Sequence, residues 1–66
     1  MHEIAVFTAG EHIYSVSVYE TPRPGDQIVI ADINSDYNKM KFKIDTVSNI
    51  LSQAGHIIAI HVSRIF

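Results

Sequence analysis

The stretch Lys39–Ile65, KMKFKIDTVSNILSQAGHIIAIHVSRI, decides the fold, because its apolar residues alternate and then slip by one. Phe42 and Ile44 share one parity, but Val47 comes three positions after Ile44 and would fall on the other side of an uninterrupted strand. The run after Gly55 keeps a single parity through Ile58, Ile60 and Val62. The two runs match if the first, strand four from roughly Lys39 to Leu51, holds one extra residue near Asp45-Thr46 as a β-bulge. Ile44 then opposes Val62, and Val47 opposes Ile60. Ser52-Gln53-Ala54-Gly55 supplies the turn into strand five, from His56 to Ile65. A long hairpin bent by a bulge is the unit with which a small sheet curls towards a barrel. The rival reading of Thr46–Gln53 is a short helix, on the apolar spacing of SNILSQ.

The rest of the chain also alternates with period two and is rich in Val, Ile, Thr, Tyr and Phe between turn signals. Strand one runs from Glu3 to Thr8 and strand two from His12 to Glu20, joined by a three-residue loop, Ala9-Gly10-Glu11. That loop opposes Val6 to Tyr14 and Ile4 to Val16, which puts Ile4, Val6, Tyr14, Val16 and Val18 on the core side. Thr21–Asp26 holds two prolines that lack ladder donors, so it is a connector, with Pro24-Gly25 suited to the middle of a type II turn. A short strand three, Gln27 to Ala31, follows with Ile28 and Ile30 on one side. Asp32–Asn38 is crowded with residues that hydrogen-bond their own backbone and reads as a loop. The expected architecture is all-β: a five-stranded antiparallel meander, one domain over residues 1–66, curled into a small barrel or open half-barrel.

A chain of 66 residues buries only roughly 60% of the surface its unfolded form exposes, so some reinforcement is expected. No cysteine is present, which removes disulfides and thiolate metal sites and leaves packing or oligomerisation. After the core side is assigned, Phe7, Ile13, Tyr19, Ile57, Ile65 and Phe66 remain on the opposite face. So large an apolar remainder calls for a cover, and a second copy in a two-fold dimer would also protect the sheet edges. The formal net charge of −2 gives no general attraction to nucleic acid or anionic lipid. No apolar run reaches the ~20 residues of a membrane helix, and no signal peptide is visible, so the expected setting is the cytoplasm.

The candidate sites are few. Four histidines occur, but no pair has the spacing that brings two imidazoles to one ion, so no metal or other cofactor is expected. Asp32-x-Asn34-x-Asp36 opens like a calcium loop and then fails, with Tyr37 where glycine belongs and Lys43 where glutamate belongs. Lys39, Lys41 and Lys43 alternate and set three ammonium groups on one side of strand four. That strip either guards an edge or, with Tyr37 to stack on a base and Arg23 from the Pro-rich turn, binds an anionic nucleotide. No nucleophile elbow, phosphate loop or apposed carboxylate pair is present, so no catalysis is expected; Ser15 or Ser17 with a histidine is no more a dyad than any serine and histidine in a small domain.

Pro22-Arg23-Pro24-Gly25-Asp26-Gln27-Ile28-Val29-Ile30, followed by Phe42-Lys43-Ile44-Asp45-Thr46-Val47, resembles very short proteins of bacteriophages and mobile elements that form SH3-like small barrels. In those, a Pro-x-x-Gly-Asp turn leads into a strand and then a bulged hairpin. The resemblance implies a binding or inhibitory role, such as blocking a host defence protein or sequestering a nucleotide signal, in the host cytoplasm if phage-encoded. The first expectation is therefore a homo-oligomeric module that binds a protein partner through its apolar outer face. The second is a nucleotide sponge using Arg23, Tyr37, Lys41 and Lys43, and the third a single-strand nucleic-acid binder.

Overall fold

The computed structural model describes residues 2–65. It contains five strands and no helix among them: β1 (His2–Thr8), β2 (Glu11–Val18), β3 (Gln27–Val29), β4 (Lys41–Ser52) and β5 (Gly55–Arg64). They form one sheet in the order β2-β1-β5-β4-β3, curled into an open half-barrel. Thr46–Ser52 is strand throughout, which removes the helical reading.

The sheet is mixed rather than a pure antiparallel meander. β2 does not continue into β3; β1 instead lies between β2 and β5, and its Ile4–Phe7 segment runs parallel to Ile58–His61. The two hairpins are local and form as the alternation requires, whereas the first and last strands join through tertiary contact alone. β1 then has an apolar inner side that continues the inner side of β5, with Ile4 beside Ile58 and Val6 beside Ile60.

The bulge in β4 falls where the alternation places it. Ile44 pairs with Val62, Thr46 with His61 and Val47 with Ile60, leaving Asp45 as the extra residue. Asp45 is held there by a hydrogen bond from the Ser63 hydroxyl. A second bulge lies in the first hairpin. Ala9 and Gly10 both have positive φ, 51° and 78°, as a two-residue type I′ turn requires. Thr8 therefore pairs with Glu11 and Phe7 with His12, yet Val6 pairs with Tyr14, so Ile13 is the extra residue. The expected three-residue loop is thus a two-residue turn plus a bulge, which gives the same register at Val6 and Ile4.

Gly25, at φ 92°, and the bond from the Asp26 amide to the Arg23 carbonyl (3.0 Å) make the turn centred on Pro24-Gly25 that launches β3. β3 stops at Val29, and Lys39 belongs to the returning turn, not to β4: its φ is 66° and its amide donates to the Ile30 carbonyl.

The core is the inner side of the curl: Ile4, Val6, Ile30, Phe42, Ile44, Ile58, Ile60 and Val62, with Ile44 and Ile60 fully buried. At ~3.3 Å per residue the twelve-residue β4 accounts for the 37 Å long axis of the molecule. The end of β4, Ile50–Ser52, and the start of β5 overhang the rest of the sheet, because β1 reaches β5 only from Ile58, the partner of Asn49, onwards.

Candidate functional site

An incompletely closed barrel has a mouth where its two edge strands face each other. Among the described residues β2 pairs only with β1, and β3 only with β4. Between them lies a hollow of about 300 Å³. Ile4 and Val6 form its floor, Tyr14, Val16 and Val18 line it from β2, and Pro22 with Ile28–Ala31 line it from the other side. None of these residues carries a formal charge. Val16, expected in the core, is 39% exposed because it faces this hollow and not a packed strand.

The Asx-rich loop borders the mouth and is tied to β2. The Tyr14 hydroxyl donates to Asp32 Oδ2 at 2.9 Å, and Asp32 Oδ1 accepts the Asn34 amide at 2.9 Å. The Ser35 amide donates to the Asp32 carbonyl, and the Tyr37 amide to Ser35 Oγ. Of the Asp32 carboxylate oxygens, Oδ1 thus serves the loop's own geometry and Oδ2 ties the loop to β2. The hydrogen bond to Asp32, with burial and the carboxylate's charge adding to it, raises the Tyr14 pKa above the ordinary tyrosine value.

The expected anion strip does not assemble as one surface. Lys41 and Lys43 are exposed and pair with Val29 and Gln27 of β3. Phe42 between them points the opposite way into the core, and Tyr37 packs on the Phe42 ring at 6.4 Å. Tyr37 is therefore on the other side of the sheet from the two ammonium groups. Lys39 leaves the strip through its turn conformation. Arg23 sits in the turn before β3, its amide bonded to Asp26 Oδ2 at 3.0 Å.

The expected outer apolar face is likewise dispersed. Phe7 is half-buried between His12, at 5.3 Å, and His61, stacked at 5.5 Å. Ile13 does not face outwards: its bulge turns it onto the core cluster. Tyr19 stands 83% exposed just past the end of β2, Ile57 is 41% exposed on the hairpin overhang, and Ile65 is half-buried beside Lys41. Phe66 lies outside the described residues. Ile50 and Leu51, at 48% and 78% exposure, were not among the expected surface residues. The signal for them is the run from Thr46 to Ser63, which holds no Asp, Glu, Lys or Arg.

Of the Ser–His pairs, His12 Nε2 and Ser15 Oγ come within 2.7 Å on the exposed outer side of β2. That bond fixes the imidazole against Phe7, and both residues are open to solvent. No helix among the described residues is long and apolar enough to cross a membrane. Comparison with protein-family models, curated proteins and solved structures finds no match, so the half-barrel and its mouth are the basis for a functional reading.

Proposed function

We propose that the protein is a non-enzymatic binding module that takes an extended segment of a protein partner into the mouth between β2 and β3. The observation that carries this reading is the uncharged lining of the mouth between two strand edges that have no neighbouring strand among the described residues. An incoming strand would pair its backbone with one of those edges and place every second side chain in the hollow, the β-augmentation mode of peptide recognition. The blocking of a host protein, which the resemblance to phage small barrels implies, is the narrower form of the same reading. The lack of cysteine fits work in a reducing cytoplasm.

The test is selection of random peptides displayed against the full chain, followed by amide chemical-shift mapping. Peptides with apolar residues at alternate positions are expected, with shifts at Val16, Val18, Ile28 and Ala31, and Val16→Lys should abolish binding while leaving the far-ultraviolet spectrum intact. Peptides that shift the outer residues instead would overturn the mouth as the site. A thermal-shift screen with nucleotides covers the sponge reading: a true ligand at 100 times its Kd stabilises by about 2.7 kcal/mol, and loss of that shift in Lys41→Glu would move the function to the lysine side.

A further inference from the structure

We infer that the far half of β4, whose outer edge β3 leaves uncovered, is an interface between two copies of this chain, in which Thr46–Ser52 pairs antiparallel with the same segment of the second copy, and Asn49 lies on the two-fold axis. This is independent of what the mouth holds.

The backbone directions lead to it. Ile44 turns its amide and carbonyl away from β5, since they bond Asp26 and Gly25. Backbone groups alternate in direction along a strand together with the side chains. Past the one-residue bulge at Asp45, Val47 therefore takes the same orientation as Ile44, as its place opposite Ile60 requires. Asn49 and Leu51 follow Val47. β3 covers β4 only at Lys41–Lys43, with Gly25 and Asp26 extending the cover to Ile44. From Val47 onwards three amides and three carbonyls face outwards along an edge that β3 does not reach.

The side chains say what kind of strand fits. The covered half of β4 carries Lys41 and Lys43, but the open half has none of the charges or prolines with which edges are ordinarily blocked. The charge-free run from Thr46 to Ser63 means that two copies bring no like charges together there. The segment is also self-complementary about Asn49. Antiparallel pairing centred on that residue sets Asn49 against Asn49 and Val47 against Leu51 of the second copy. In that register the three outward-facing residues of each strand exchange all their backbone bonds. It also places apolar on apolar on the inner side and covers Leu51, the most exposed residue of the overhang's apolar set. A single patch that serves both sides is what a closed two-fold dimer requires.

The test uses the full chain and its lack of cysteine. In the proposed pairing the two Asn49 Cα atoms lie ~5.5 Å apart, inside the ~4.4–6.8 Å range of disulfides. Asn49→Cys should oxidise to a covalent dimer at micromolar concentration, and Ser15→Cys, on the free edge of β2, should not. Sedimentation equilibrium of the cysteine-free protein should show a dimer, and Leu51→Lys should raise its dissociation constant by about tenfold or more while the monomer keeps its strand spectrum. A protein that is monomeric at millimolar concentration overturns the inference. So does a dimer that cross-links through Ser15→Cys rather than Asn49→Cys, or one that is indifferent to Leu51→Lys.

Discussion

Ile44 and Val47 point to the same side of β4 although they are three positions apart, because Asp45 is left unpaired between the partners of Val62 and His61. Taking that one residue out of the pairing as a bulge keeps the far half of the hairpin in register with the core. Deleting Asp45 would leave Ile44, Thr46 and Val47 in unbroken alternation against Val62, His61 and Ile60, so the inner faces and the register are kept and only the bend made by the bulge is lost. The expected outcome is a proton–nitrogen spectrum that keeps its amide dispersion, with shifts confined to Ile44–Val47 and their partners Ile60–Val62. Asp45→Gly keeps the extra residue and loses only the Ser63 hydrogen bond, about 1 kcal/mol, so it should stay folded.

Ala9 occupies a left-handed conformation at φ 51° beside Gly10. A non-glycine side chain there costs roughly 1–2 kcal/mol, and asparagine tolerates the region better. Ala9→Asn creates the Asn-Gly pair favoured in type I′ turns. It should stabilise the protein by about 1 kcal/mol, which for a domain of this size is roughly 4–8 °C in Tm by calorimetry.

Tyr14 keeps its proton to higher pH in the folded protein than in the unfolded chain, because ionisation would break its bond to Asp32 and set two negative charges together. The folded state binds the extra proton at alkaline pH, so stability falls as pH rises. The contribution of this contact is intact below the ordinary tyrosine pKa of about 10 and is lost as pH climbs through the raised value. Ultraviolet titration of the three tyrosines should show one late step, absent from Tyr14→Phe, and that variant should have a flatter alkaline denaturation profile.

Ile60 is fully buried where β1, β4 and β5 meet. Ile60→Ala should cost about 2–5 kcal/mol. That approaches the whole stability of a chain this short, about 3–10 kcal/mol, so urea titration should find the variant largely unfolded at low denaturant.

The parts of the fold that were legible are those decided by neighbouring residues. The pairing of Val6 with Tyr14, the extra residue in β4 and the turn at Pro24-Gly25 all follow from alternation and turn chemistry over short spans. The site was less legible. Alternation puts Lys41 and Lys43 on one side of a strand, but it says nothing about which side a loop residue chooses, and Tyr37 packs on Phe42 behind them. The outward place expected for Ile13 failed because Ala9 and Gly10 close a two-residue turn instead of the three-residue loop, and the spare residue bulges inwards.

Read alone, the order of residues determined extended chain, two hairpins, their registers and the inner faces, since each depends on steric and hydrogen-bonding preferences within a few positions. Tertiary structure alone decided that β1 runs beside β5 in parallel and that the sheet stops short of closing. Residues more than fifty positions apart meet because their apolar faces happen to continue one another. Many pairings of equally apolar strands satisfy the same alternation, and only the packing of the whole chain selects among them.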